Sequence, residues 1–162
     1  RLVRERNAQG YGVEIADAGV LASMQRGLNI VQADIEGGLN LFGDAAFDVV
    51  ILSQTLQATR HTEALVSEVL RVGKSAIVTL PNFGHWSVRW QLGIGGRMPV
   101  SKRLPYQWYD TPNVHFSTIR DFDVFCAEKG IRVERRAVLA GGHEISLLPN
   151  VRGETAVFQI RR

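Results

Sequence analysis

Cysteine is nearly absent from this sequence, since Cys126 is the only one among 162 residues. A single cysteine excludes an intrachain disulfide and is typical of a reducing compartment, so we expect a cytoplasmic protein. The Cys and His spacing of a zinc site is also absent, and the sequence predicts no metal centre.

Long apolar runs are missing as well. No stretch approaches the roughly 20 residues that cross a bilayer, and the first residues are mostly charged, unlike a signal peptide. The formal net charge is only +3, with basic clusters at residues 97–103 and 132–136. We interpret both clusters as solvated faces, so we expect neither a membrane nor a nucleic acid as a partner.

Two common catalytic motifs do not occur either. The sequence has no Gly-x-Ser-x-Gly elbow of the α/β-hydrolases and no Gly-Lys-Ser/Thr loop for nucleotide phosphates. The overall composition, 45% apolar and 22% charged, is that of an ordinary globular protein. The chain is therefore long and apolar enough to form one domain with a normal core.

Alternating strand and helix patterns run through the chain. The predicted strands are residues 11–15, 29–32, 47–53, 75–80, 133–139 and 156–161, and the predicted helices are 2–6, 18–26, 63–72, 86–92 and 118–129. Residues 47–53 are apolar on both faces and rich in β-branched side chains, which is typical of a central parallel strand. The alternation predicts an α/β fold with a parallel sheet, and the last two strands predict an antiparallel pair.

Residues 82–116 differ from the rest of the chain. This aromatic segment contains Phe83, Trp86, Trp90, Tyr106, Trp108, Tyr109 and Phe116. Irregular stretches of this length are usually functional or disordered, and so many aromatic residues argue against disorder. We interpret the segment as a lid that contacts a substrate or a partner.

Polar residues at strand ends are the first site candidates, because ligands of open α/β sheets bind at the carboxyl ends of the strands. Glu14 and Asp34 follow successive strands, where their carboxylates can accept hydrogen bonds from a ribose and from an adenine amino group. Either acid alone could instead cap a helix, as could Ser53. The predicted cofactor-binding residues are Glu14, Ile15, Asp34, Ile35, Ser53 and Gln54.

Further candidates lie in or near the aromatic segment. His85, Tyr109 and His115 could act as an acid, a base or an orienting group, or they could be hydrogen-bonded lid residues without a proton to move. The predicted substrate or partner contacts are Gln57, Asn82, Trp86, Tyr106 and Asp110.

These residues resemble consecutive elements of the class I S-adenosylmethionine-dependent methyltransferases. The resemblance rests on Glu14 at a strand end, on Ala33-Asp34-Ile35 and on residues 47–53. It implies that Glu14 binds the ribose and Asp34 the adenine of S-adenosylmethionine. It also implies a Rossmann-like sheet of strand order 3-2-1-4-5-7-6, with the last strand antiparallel.

A closer resemblance, to the MetW family of methionine biosynthesis proteins, covers essentially the whole chain. It is carried by long and unusual strings at residues 51–59, 80–86, 96–100 and 108–115. It implies an S-adenosylmethionine-binding partner of homoserine O-acyltransferase. The alternative is an active methyltransferase that acts on a small molecule, since the resemblance leaves catalysis open.

One element of the methyltransferase pattern is missing. The first strand and its Gly-x-Gly-x-Gly loop, which approaches the methionine end of the cofactor, do not occur in this sequence. We therefore expect residues 1–162 to form one N-terminally incomplete domain, with an open slot between the strands at 11–15 and 47–53. We also expect this piece alone to be poorly stable and to bind no cofactor.

Overall fold

The computed structural model of this chain describes residues 8–101 and 104–162. The chain divides into two compact units, Arg1–Asn40 and Leu41–Arg162. The helix predicted at residues 2–6 lies outside the described residues, as do Lys102 and Arg103 of the basic cluster. No helix in the described ranges is long and apolar enough to cross a membrane. The organisation as a single domain stays a prediction.

The first unit is a small parallel βαβ arrangement. Strands β1 (Gly12–Glu14) and β2 (Ile30–Gln32) pair in parallel, joined by helix α1 (Asp17–Gln25), and a 3₁₀ turn (Ile35–Gly37) follows β2. The helix ends before Gly27, whose φ of 70° lies in the left-handed region that glycine tolerates best.

The second unit holds a five-stranded sheet and four helices. Its elements are β3 (Phe47–Ser53), a 3₁₀ turn (Leu56–Ala58), α2 (Thr62–Val72), β4 (Gly73–Pro81), α3 (Trp86–Gly93), α4 (Ile119–Glu128), β5 (Arg132–Ala140), β6 (His143–Glu144), α5 (Pro149–Arg152) and β7 (Thr155–Arg161). The strand order is β3-β4-β7-β5-β6. Strand β7 runs antiparallel to both β4 and β5, which confirms the predicted antiparallel last strand.

Within each sheet the neighbouring strands are those that the methyltransferase order gives them. Strands β1 and β2 take the places of its second and third strands, and the order β3-β4-β7-β5 takes the places of 4-5-7-6. The complete order 3-2-1-4-5-7-6, and the slot beside its missing first strand, stay predictions.

The core of the second unit lies around strands β4 and β7. Ala76, Val78, Ala156, Phe158 and Ile160 are fully buried there. Helix α2 covers the sheet with its buried apolar side chains, and helix α4 adds Phe122, whose ring centroid lies 4.6 Å from that of Phe158. The two strands with most of the buried apolar area therefore hold the unit together.

The burial predicted for residues 47–53 was wrong. Strand β3 has the predicted bounds, but it lies at one end of the five-stranded sheet. Leu52 is buried, whereas Val49 and Ile51 are about half exposed. An apolar run on both faces becomes buried only where strands and helices flank it, and among the described residues β3 pairs only with β4.

Two short elements were not predicted in the connection between β5 and β7. Gly141 and Gly142, with φ of 57° and 86°, form the tight turn that pairs β6 with β5. Pro149 begins the short helix α5, a position where its fixed φ and missing N–H are tolerated. Both elements are too short for a periodic hydrophobic signal.

Candidate functional site

Two carboxylates follow neighbouring strands of the first unit. Glu14 is the last residue of β1, and Asp34 comes two residues after β2, its parallel partner. The Glu14 Oε1 atom accepts hydrogen bonds from the backbone N–H groups of Ile15 and Ala16, both at 2.9 Å. The Asp34 Oδ1 atom accepts one from Glu36 N at 2.9 Å and so caps the 3₁₀ turn.

Each carboxylate has a second oxygen that makes no hydrogen bond within the described part of the chain. No donor of the described residues reaches Glu14 Oε2 or Asp34 Oδ2. Room for the Glu14 side chain is made by Gly19, where a Cβ atom would stand only 2.7 Å from Glu14 Cγ. Ribose hydroxyls and an adenine amino group are donors, and their binding by these two carboxylates stays a prediction.

The two isoleucines predicted beside these acids have different surroundings. Ile15 is largely exposed, directly after β1. Ile35 is half-buried and begins the 3₁₀ turn that Asp34 caps. Their contact with a cofactor stays a prediction.

Gln54, directly after β3, has a strained backbone. Its φ is 52°, a left-handed conformation that is uncommon for a residue with this side chain. The Gln54 N–H donates to Thr79 O at 3.1 Å and Thr79 Oγ1 at 3.0 Å, while Gln54 O accepts from Gln57 Nε2 at 2.8 Å. Such conformations concentrate at functional sites, and the cofactor role of Ser53 and Gln54 stays a prediction. The sequence did not signal this strain, because the position carries neither Gly nor Asn.

A cavity of about 890 Å³ lies in the second unit, between the 3₁₀ turn after β3 and helices α2 and α4. Its apolar wall includes Leu56, Leu80 and Phe122, and polar residues such as His61 and His115 stand among its lining. The volume is in the range of small-molecule sites. Sequence reasoning missed this cavity, because its walls come mainly from two segments, residues 56–67 and 115–125, that are distant in the sequence.

The aromatic segment is anchored beside this cavity at its C-terminal end. The Gln57 carbonyl oxygen accepts hydrogen bonds from Val114 N at 2.7 Å and His115 N at 3.0 Å. The rings of Phe83 and Phe116, near the two ends of the segment, lie 4.9 Å apart. Both ends of the segment are therefore held close together.

Asn82 is a buried structural residue. Its Nδ2 donates to the carbonyl oxygens of Gly153 and Asn150 at 2.8 and 3.1 Å. Its Oδ1 accepts from Gly84 N at 2.9 Å and Ile119 N at 3.3 Å. All of the hydrogen-bonding capacity of its side chain is used within the chain itself. The predicted contact of Asn82 with a substrate or partner stays a prediction.

The three candidate acid–base residues have different surroundings. His85 Nδ1 lies 2.8 Å from Ser87 Oγ and caps helix α3. Tyr109 is largely exposed, with its ring edge-on to that of Trp108. His115 alone among the three lines the large cavity. Catalytic roles for these residues stay predictions.

The other predicted contact residues lie at the surface. Trp86, Tyr106 and Asp110 are exposed, whereas Gln57 is half-buried and lines the cavity. Among the described residues there is no group of three or more His, Cys, Asp or Glu side chains that could hold a metal ion.

The chain is similar to known proteins of one family. Residues 1–160 match the family model of the methionine biosynthesis protein MetW. The chain belongs to the MetW family. It is 34% identical over 156 residues to the bifunctional methionine biosynthesis protein MetXA/MetW of Rhodopirellula baltica. The match covers 93% of this chain but only 25% of that relative, so the chain spans about a quarter of its length.

Solved structures show the fold. A methyltransferase of Thermotoga maritima, described as S-adenosylmethionine-dependent and a possible histamine N-methyltransferase, superimposes with a TM-score of 0.67 at 15% identity. That match covers 98% of this chain and 75% of the other. A second such methyltransferase, from Archaeoglobus fulgidus, gives 0.68 at 13% identity, covering 99% and 79%. The predicted class I methyltransferase fold is confirmed.

Proposed function

We propose that this MetW family member is an S-adenosylmethionine-binding partner of homoserine O-acyltransferase in methionine biosynthesis. The observation that carries the proposal is the Rhodopirellula baltica relative, whose name joins MetXA and MetW in one bifunctional polypeptide. Two activities fused in one chain work at the same place. A separate MetW chain achieves the same association by binding its partner.

The cofactor part of the proposal rests on the two carboxylates of the first unit. When bound, S-adenosylmethionine supplies a sulfonium with a transferable methyl group. The Glu14 carboxylate would accept hydrogen bonds from the ribose, and Asp34 would accept one from the adenine amino group. Ile15 and Ile35 would complete the contacts within this unit, and the cofactor roles of Ser53 and Gln54 stay predictions.

The partner part rests on the aromatic segment. Trp86, Tyr106 and Asp110 are exposed on it, and Asn82 and Gln57 hold its ends in place. Aromatic residues are enriched at the energetic centres of protein interfaces. The cytoplasmic location follows from the near absence of cysteine and is part of the same proposal.

The second candidate function is methyl transfer to a small molecule, and the cavity beside His115 is the observation that favours it. Methyl transfer from a sulfonium is an in-line displacement that depends mainly on positioning, so it needs no catalytic triad. In that case His115 would orient the acceptor, with His85 and Tyr109 as further candidates.

One experiment separates the two functions. The full-length protein and the homoserine O-acyltransferase of the same organism are purified, and acyl transfer and methyl consumption are measured together and apart. Faster acyl transfer without methyl loss is the expected result. Methyl consumption by the protein alone would favour the enzyme, and no effect on acyl transfer would contradict the partner function.

A further inference from the structure

Helix α3 turns its largest apolar side chains toward solvent. Trp86 and Trp90 are 58% and 64% exposed, whereas Val88 is only 3% exposed. Ile94, just after the helix, is 72% exposed. These three exposed residues are spaced four apart, so they lie on one side of the helix. We call this stripe of Trp86, Trp90 and Ile94 the tryptophan face.

The tryptophan face is held in place by the residues around it. His85 caps α3 by accepting a hydrogen bond from Ser87 N, and its ring lies 5.6 Å from that of Trp86. Arg89 Nε donates to Gly84 O at 2.6 Å at the start of the helix. Buried Val88 seats the opposite side of α3. The helix that carries the face is thus anchored before binding, which lowers the entropic cost of binding.

Exposed apolar patches of this kind mark interaction sites. Tryptophan is the residue type most enriched at interface hot spots, together with Tyr and Arg. Two indole rings at the surface of one short helix expose apolar area to water, which costs solvation free energy. Burial against a partner recovers this free energy, because each aromatic side chain can bury roughly 150–250 Å². A macromolecular partner is the occupant that this area favours.

The charge of the aromatic segment specifies the partner further. Residues 82–116 contain four Lys or Arg residues and one Asp, a net charge of +3 that equals the net charge of the whole chain. Of these basic residues, Arg89 and Arg97 are exposed on or next to α3. We call Arg89 and Arg97 the basic rim of the tryptophan face. Basic side chains beside an apolar stripe complement an acidic surface with an apolar recess.

We propose that the tryptophan face is the surface that binds homoserine O-acyltransferase, through an acidic face of that enzyme with an apolar recess for Trp90. This inference rests on the proposed function, which supplies the partner, and adds where it binds. Arg89 and Arg97 steer the encounter, and Trp86 and Trp90 provide most of the affinity.

The test is calorimetric titration of the full-length protein with the acyltransferase. Trp90→Ala is expected to weaken binding roughly 30-fold, and Trp90→Phe to retain most of it. The matched control is Leu147→Ala, because Leu147 is 65% exposed but lies outside the aromatic segment. The control is expected to bind within about twofold of the wild type. All variants should keep the wild-type melting temperature, since the altered side chains are exposed.

A charge reversal tests the electrostatic part. Arg97→Glu is expected to slow association, with the difference from wild type shrinking as salt is added, whereas Arg135→Glu on β5 leaves association unchanged. Equal rates for the two variants would contradict the basic rim.

The outcomes separate this inference from the proposed function. No binding by the wild type contradicts the function and with it the surface. Full binding by Trp90→Ala, or a loss confined to Trp108→Ala, overturns the placement alone. The placement is also overturned if Trp90→Ala loses self-association or single-stranded RNA binding while its binding to the acyltransferase stays intact.

Discussion

The side-chain amide of Asn82 donates a hydrogen bond to the carbonyl oxygen of Gly153 at 2.8 Å, across 71 residues of sequence. The contact joins the end of β4 to the segment before β7, the two strands at the centre of the core. The other side-chain hydrogen bonds of Asn82 reach Asn150 in α5, the start of α4 and the loop before α3. One buried amide therefore fixes the base of the aromatic segment on the sheet.

Asn82→Ala is expected to lower the free energy of unfolding by about 3 kcal/mol, because it leaves buried backbone groups without partners. Urea denaturation measures the change. The control is Asn29→Ala, whose exposed amide makes a single 3.4 Å contact to Gly10 O and should cost about 0.5 kcal/mol or less. Equal losses in both variants would show that Asn82 is not a structural residue.

Gln54 offers a test of backbone strain. Because its φ is 52°, Gln54→Gly is expected to be about 1 kcal/mol more stable than Gln54→Ala, since only Gly adopts this conformation without a Cβ penalty. Urea denaturation of the two variants gives the difference, and the same side chain is lost in both. An alanine variant as stable as the glycine variant would show that the turn relaxes.

Cys126 makes the free energy of unfolding depend on pH in the alkaline range. Burial, with a smaller contribution from Asp123, raises the pKa of its thiol to about 11 from the ordinary 9.0. The folded protein thus holds the proton more tightly than the unfolded chain. This contribution is complete below pH 9 and is lost as the pH rises through 11.

The measurement is the difference in unfolding free energy between wild type and Cys126→Ala at pH 8 and pH 11. The wild type should lose about 2 kcal/mol more than the variant over this range. Other groups that titrate here are common to both proteins and cancel. A constant difference would mean that the thiol ionises alike in both states.

The paired acids of the first unit predict cofactor affinity. Glu14→Gln and Asp34→Asn are each expected to weaken binding of S-adenosylmethionine by the full-length protein about 10-fold or more, because a charge-assisted hydrogen bond is lost. Calorimetric titration measures the affinity. Glu144→Gln on β6 is the control, and unchanged affinity in both acid variants would contradict the site.

The hydrophobic periodicity of the sequence located most of the strands and helices, because the pattern that specifies such an element lies within the element itself. Strand β3 has the bounds that residues 47–53 predicted, and α2 differs by one residue from its predicted start. Thr118 caps α4 in a capping box with Asp121, which is a local interaction that the sequence can signal. Elements of two to four residues, such as β6 and α5, carry too little pattern to be seen.

The candidate site could be predicted from the sequence only in part. Glu14 and Asp34 stand out because strand ends are readable from sequence and the topology then places them at one edge. The left-handed backbone of Gln54 and the cavity between α2 and α4 depend on contacts between distant segments, so no local pattern announced them.

The longer strands and helices and the family were determined by the sequence itself, because hydrophobic period, capping residues and long characteristic strings are local properties of the chain. Tertiary structure alone decided which apolar side chains are covered. It exposed Val49 and Ile51, turned Trp86 and Trp90 outward, and committed Asn82 to the framework. Burial depends on which neighbours arrive from elsewhere in the chain, and that information is not contained in any one segment.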